Sequence, residues 1–400
     1  MRYEVWLGLR YLFARRREKF ISIIAAVSIG GVALGVAALL VVLAVMSGFD
    51  HDIKDKLLGI NAHVIVDRPQ GVDDAEGLLR EVAATDRVIG TTPFISGQAI
   101  LRLPSQAFGV LVRGIDPARE TRVNDLAKYL VAGALPQREE EALIGTELSA
   151  YVHAGVGDPL LLISPADGRT HSLVVSGLFR SGMYEYDSTL LVMTLARAQR
   201  FYQLGSVVSG IGARVDALEQ VEAVAAALRR RLPEDRVRTW MELNPALFGA
   251  LRVEKTVMFV ILTLIIVVAA LNTLAMLVMI VMEKTKDIGI LRALGATRGS
   301  VAWLFLAQGC TIGLLGIGLG LAGGLTLALN LNGLAKWIER ATGWSLFPPT
   351  VYYLDHIPTQ INLGDIASVA AAAFILVALS GTYAAVRAAR LQPVEALRYE

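Results

Sequence analysis

The chain has 400 residues, of which 54% are hydrophobic and only 18% charged, against roughly 25% charge in ordinary soluble domains. A formal net charge of +2, with no tract dense in Lys and Arg, excludes nucleic acid as a natural partner. The single cysteine, Cys310, excludes a disulfide framework, and the chain has no HExxH, GxSxG or GxxxxGK[ST], so no metal site, no catalytic residue and no bound nucleotide are expected of it.

In chain order, residues 1–20 carry Arg2, Arg10, Arg15, Arg16, Arg17 and Lys19, and 21–46 form a charge-free run. That run is too long for a signal-peptide core and lacks a small-x-small cleavage site, so it reads as an uncleaved signal anchor. A bilayer core takes about 20 apolar residues as helix. Residues 256–282, 300–330 and 366–386 also meet that length without a charge. A charge at mid-bilayer costs about 2.5–3.5 kcal/mol on insertion scales, so four such runs in one chain predict four transmembrane helices. Gly31-x-x-x-Gly35, Gly309-x-x-x-Gly313 and the Gly316, Gly320, Gly324 series predict close backbone packing. Asn272 is expected to make an interhelical hydrogen bond.

Residues 47–255 read as an extramembrane α/β region with helical stalks. Strands are expected at 62–67, 109–116, 158–164, 171–179 and 188–194, and amphipathic helices at 73–85 and 215–232. Asp167-Gly168 marks a hairpin tip. The region is expected to have two lobes, one of them inserted at about 117–206. Asp50, His51 and Asp52 are read as solvating the end of a helix, not as a metal site.

Lys and Arg placement sets the orientation. The N-terminal segment, the 283–299 segment and the 387–400 tail are the basic ones, so both termini are placed in the cytoplasm. The 47–255 region and the 331–365 loop are placed outside.

The 283–299 segment interrupts the apolar runs with Glu283, Lys284, Lys286, Asp287, Arg292 and Arg298. Ile288, Leu291 and Leu294, with Ile290, make an apolar side, and Lys284 and Asp287 form an i,i+3 pair. Gly295 is placed for a left-handed C-cap, and Thr297 or Ser300 for the next N-cap. A helix this short needs a partner surface. Lipid headgroups and a groove on a cytoplasmic protein are both possible, and the weak basic character favours the protein.

The stretch EKTKDIGILRALGA (283–296) resembles the coupling segment of MacB/FtsX-type ABC transporter permeases. RPQGVDD (68–74), FISGQAILR (94–102), LVRGIDP (111–117), LGSVVSGIGARV (204–215), PPTVYYLDHIPTQI (348–361) and ARLQPVEALRYE (389–400) narrow it. End to end, the chain is similar to the lipoprotein-releasing permeases, the LolC/LolE family. The resemblance implies an α-helical membrane protein with four transmembrane helices and an α+β periplasmic domain inserted between the first and second, the MacB-type permease architecture.

It further implies a permease subunit in the bacterial inner membrane that extracts acylated lipoproteins and hands them to a periplasmic carrier (LolA-like). The implied partners are a cytoplasmic ABC ATPase dimer (LolD-like), which holds ATP and Mg, and a second permease chain, identical or not. Membrane lipid completes the set. Residues 283–296 become the coupling helix, with Glu283, Lys284, Lys286, Asp287, Ile288, Gly289, Leu291, Arg292, Leu294 and Gly295 at the ATPase. Lipoprotein contact is expected near Val42, Met46 and Phe49 on the first stalk and Phe248, Val257, Phe259 and Ile261 on the second. In that family one subunit type carries a longer projecting loop that engages the carrier; the corresponding place here is the short turn from Ile163 to His171, which implies either the other subunit type or a lineage with one permease gene. Two rival readings are a MacB-like efflux or mechanotransmission permease and an FtsX-like signalling scaffold that transports nothing.

Overall fold

The computed structural model describes residues 19–104, 106–343 and 356–390. The N-terminal arginine cluster, the whole PPTVYYLD stretch and all but Ala389 and Arg390 of the terminal ARLQPVEALRYE motif lie outside the described residues. The chain falls into two compact units: a helical one, up to His51 and from Leu251 onward, and an α+β one, Asp52–Ala250.

Helix α1 (Lys19–Ile60) is the first described element. The α+β unit then runs through β1 (Val64–Val72), α2 (Ala75–Ala83), β2 (Val88–Arg102), β3 (Ala107–Ile115), α3 (Pro117–Val123), β4 (Leu130–Gly133), β5 (Glu141–Gly145) and α4 (Thr146–Val152). It continues through β6 (Pro159–Ile163), β7 (Thr170–Phe179), α5 (Tyr184–Thr189), β8 (Leu190–Thr194), α6 (Leu195–Phe201), β9 (Val208–Val215), α7 (Val221–Arg231), β10 (Arg236–Thr239) and α8 (Trp240–Leu243). Next comes α9 (Pro245–Glu283), whose first turns belong to the α+β unit and which enters the helical unit at Leu251, followed by α10 (Thr285–Ala293), α11 (Arg298–Leu329), α12 (Leu331–Thr342) and α13 (Leu363–Arg390). Among the described residues, α1, α9, α11 and α13 are long and apolar enough to cross a membrane.

The ten strands of the described residues form one sheet, nine of them in the order β10-β1-β9-β2-β3-β8-β5-β7-β4, with β6 off this path and pairing with β2 and β7. Because β6 pairs with both, the ladders β2–β3, β3–β8, β8–β5, β5–β7, β7–β6 and β6–β2 close on themselves. The result is a ring of six strands, while β10 and β4 remain as the edge strands at the two ends of the path. Alternation fills it: Leu101, Val110, Val112, Ile144, Leu162, Leu173, Val175 and Met193 are buried in one apolar cluster. Leu143, Leu190 and Val192, on the opposite face, join Ile60 and Phe179 in another. The 117–206 region, expected as an inserted lobe, shares its sheet with the rest of the unit. The 15-residue β2 runs through both parts, pairing with β9 through its first half and with β3 and β6 through its second.

In the helical unit, glycines set the packing distance. A Cβ added at Gly313 would lie 2.4 Å from Val377 Cγ1 on α13. At Gly320 it would lie 2.7 Å from the Ala33 carbonyl oxygen of α1, and at Gly324 2.9 Å from Ala37 Cα. Val32, Val36, Leu39, Ile317, Val369, Ala373 and Val377 fill the space this contact creates. Ser380 Oγ donates to the Ala270 carbonyl at 3.1 Å, tying α13 to α9. Asn272 lies against the glycine surface of α1, where a Cβ at Gly31 would come 2.8 Å from its Nδ2. The 356–365 return is pinned to α1 by Gln360 N donating to Ala44 O at 2.9 Å and Ser47 Oγ donating to Asp365 Oδ2 at 3.3 Å.

Candidate functional site

The segment between α9 and α11 is built by local hydrogen bonding. Lys284 N donates to Ile280 O at 2.9 Å and Ile288 N to Lys284 O at 3.0 Å, so the backbone turns from α9 into α10 with little interruption. Thr285 Oγ1 donates to Met282 O at 2.7 Å. At the far end Gly295 adopts φ 102°, a left-handed value that a side chain disfavours. Ala296 N donates back to Leu291 O at 3.0 Å. Thr297 then caps α11, its Oγ1 accepting from Ser300 N at 3.1 Å.

This geometry divides the apolar residues between two faces. Ile288 is only 2% exposed and packs with Leu277, Ile280, Val281, Val301, Leu304 and Phe305 of the bundle. Gly289 is buried beside it. Leu291 and Arg292 are half-buried, whereas Ile290 is 49% and Leu294 81% exposed. Lys284 is buried and pairs with Asp287 at 3.4 Å; Glu283 and Lys286 are exposed. Ile288 is thus the root of the segment, and Ile290 and Leu294 are its tip. Spacing groups Ile288, Leu291 and Leu294, with Ile290, on one apolar side; the structure turns Ile288 inward and Ile290 and Leu294 outward.

The residues expected to meet lipoprotein do not form one set. Val42, Met46 and Phe49 are half-buried on α1. Val257, Phe259 and Ile261 are exposed on α9. Asp50 and Lys255 join the two helices at 2.8 Å, next to Phe49 and two residues before Val257. Phe248 instead belongs to the α+β unit, where its ring meets Trp240 edge-on at 5.0 Å. Asp52, one of the acidic residues at the end of the apolar run, pairs with Lys56 at 2.8 Å.

The α+β unit has a cleft of about 760 Å³ whose lining includes Phe94, Leu111, Arg113, Tyr186 and Tyr202. Arg113 is committed there to Ile60 O at 2.6 Å and Asn61 Oδ1 at 3.1 Å, a structural role. Among the described residues no group of three or more His, Cys, Asp or Glu could hold a metal ion.

Two family models match the chain. Residues 25–231 match the MacB-like periplasmic core domain, and residues 259–393 match the FtsX-like permease C-terminal family. The lipoprotein-releasing system transmembrane protein LolC of Neisseria meningitidis serogroup B is 36% identical, over 99% of both chains. The protein of that name from Xylella fastidiosa is 37% identical over the same shares. The lipoprotein-releasing system transmembrane protein LolE of Haemophilus influenzae is 28% identical over 98% of both. With relatives this similar along its whole length, the chain belongs to the LolC/LolE family of lipoprotein-releasing system transmembrane proteins.

Proposed function

We propose that this chain is the permease subunit of an inner-membrane ABC transporter that extracts acylated lipoproteins and passes them to a periplasmic carrier. A separate cytoplasmic ATPase dimer supplies the energy, and a second permease chain completes the assembly. The reading is carried by the end-to-end likeness to relatives bearing the lipoprotein-releasing name. In this reading α1, α9, α11 and α13 cross the membrane, the termini and α10 face the cytoplasm, and the α+β unit and the 331–365 loop face the periplasm.

Physical chemistry supports the division of labour. Each acyl CH₂ moved into water costs about 0.8 kcal/mol, so a bare three-chain anchor costs on the order of tens of kcal/mol. Extraction needs an apolar shelter and imported work. The exposed faces of α1 and α9 supply the shelter, with Val257, Phe259 and Ile261 among the residues available. The tip of α10 is where the work enters, Leu294 and Ile290 seating in a groove on the ATPase while Ile288 holds the segment to the bundle.

Substituting Leu294→Glu tests this. A central apolar contact in a protein groove is worth above about 1 kcal/mol, and 1.4 kcal/mol is tenfold in affinity. The variant is expected to insert in the membrane normally, retain roughly a tenth or less of the co-purifying ATPase, and lose carrier-dependent release of labelled lipoprotein. Leu291→Glu is expected to act in the same direction. Wild-type co-purification and release by both variants would remove α10 from the coupling role.

A further inference from the structure

We propose that α12 is a membrane-surface helix, lying among the phospholipid headgroups of the outer leaflet with its apolar side in the acyl chains. The proposal rests on the reading of α11 as a transmembrane span. It goes beyond the lipoprotein-releasing activity, because it assigns a lipid-binding face to a segment outside both the spans and α10.

The sequence of α12 is LNGLAKWIERAT. At about 3.6 residues per turn, Leu331, Leu334, Trp337, Ile338 and Ala341 share one side, while Asn332, Lys336, Glu339 and Arg340 share the other. Such a helix should bury its apolar side, yet none of its 12 residues is buried. Leu334 is 38% exposed and Trp337 65%. A helix of this length is marginal alone in water, so it needs a surface.

Three observations select lipid as that surface. First, α12 starts one residue after α11 ends: Asn330 N closes α11 on Thr326 O and Leu327 O, both at 3.2 Å, and Asn330 O accepts from Leu334 N at 2.9 Å to open α12. The helix is held where the span leaves the hydrocarbon. Second, Leu327 and Leu329, in the last turn of α11, are 39% and 67% exposed, so the apolar surface runs on from the span into α12. Third, α12 is anchored by its polar side. Asn332 Nδ2 donates to Ile357 O at 3.0 Å and its Oδ1 accepts from Ile357 N at 2.8 Å, which leaves the Leu334–Trp337 side turned away from that contact. A tryptophan on the apolar side with Lys and Arg opposite matches the interfacial layer, where the indole sits at headgroup depth and basic side chains reach water.

The test is depth measurement by spin labelling. Cys310→Ala removes the native thiol of the full chain, and single cysteines at Leu334, Ile338, Lys336, Arg340 and Leu319 carry a nitroxide. The chains are placed in vesicles of phosphatidylethanolamine and phosphatidylglycerol. Labels at 334 and 338 are expected to collide several-fold more with oxygen than with a water-soluble nickel chelate, and labels at 336 and 340 the reverse. The label at 319, two-thirds of the way along α11 and 60% exposed, reports the span itself and should see oxygen alone. Labels at 334 and 338 shielded from both reagents would mean that protein covers the face, whether a second copy or another part of this chain, and would overturn the proposal. So would open access of the nickel chelate to 334 and 338. Access of the chelate to 319 would overturn the span reading and this proposal with it, an outcome distinct from failure at α12 alone.

Discussion

His63 stands at the joint between α1 and β1, with 6% of its surface exposed. Its backbone N–H donates to Ala213 O at 2.9 Å and its carbonyl accepts from Trp240 N at 3.1 Å. Its Nδ1 accepts from Val215 N at 3.2 Å. One residue thus stitches β1 to β9 on one side and to the start of α8 on the other. Burial, and after it the neighbouring Arg214 guanidinium, hold the imidazole down to about 4, with Asp125 opposing. The unfolded chain takes up its proton near the ordinary 6.5. Between these values the unfolded state binds a proton that the folded state does not, so stability is complete above about 6.5 and falls as pH drops toward 4. The span is worth on the order of 3 kcal/mol. Thermal unfolding of the detergent-solubilised chain is expected to lose more between pH 7 and pH 4.5 in wild type than in His63→Asn, which keeps an acceptor but cannot charge. Equal losses would clear His63 of the effect. Nothing in the sequence marks His63 apart from His51, because a histidine between Ala62 and Val64 has no pattern of its own; only the ladder around it gives it a role.

Among the elements, legibility followed the range of the interactions. The four apolar runs, the glycine series of α11 and the Gly295 and Thr297 caps are local patterns, and each lies where its spacing indicated. Strand β2 escaped because VIGTTPFISGQAILR holds Pro93 and two glycines, which break the expected alternation. β9, with glycines at 210 and 212, escaped for the same reason. Closure of the strand ring depends on β6 meeting β2 across some 60 positions of chain, which no local pattern encodes. On α10, periodicity defined a stripe but not what covers it, so the inward turn of Ile288 was invisible. The glycine series admits a paired test. Gly320→Ala places a methyl against the Ala33 carbonyl and Val36 Cβ, both 2.7 Å away, and backbone cannot swing aside as a side chain can. It is expected to destabilise by about 1–3 kcal/mol. Gly323→Ala, on the same helix with nothing within 4 Å, is expected to be neutral or to stabilise by up to about 1 kcal/mol through helix propensity. Unfolding midpoints of the two purified variants in one detergent check the contrast; similar losses would show that α11 does not pack through its glycine face.

At the scale of the whole molecule, the proposed function demands that work done at α10 reach the outer side of the membrane. Helix α9 is the direct route. It runs unbroken from Pro245 to Glu283 and leads straight into α10. From Val253 to Glu283 the rise is about 45 Å at 1.5 Å per residue, and a hydrogen bond in every turn makes that length stiff along its axis. Val253 is 64% exposed, so a change there removes little packing. Proline at this position deletes one backbone donor and crowds the carbonyl of Gly249, which kinks a helix or costs it about 3 kcal/mol. If α9 transmits by stiffness, Val253→Pro should leave the ATPase bound and hydrolysing within about twofold of wild type, since α10 and its Ile288 root are untouched. Lipoprotein release should fall at least about tenfold, the loss that 1.4 kcal/mol of uncoupling produces. Val253→Ala, which shortens the side chain and keeps the backbone bond, should retain both activities. Full release by the proline variant would mean that the work travels by α1 or another path; loss of ATPase binding would mean that the kink had spread to α10, which NMR or cross-linking at Leu294 would reveal.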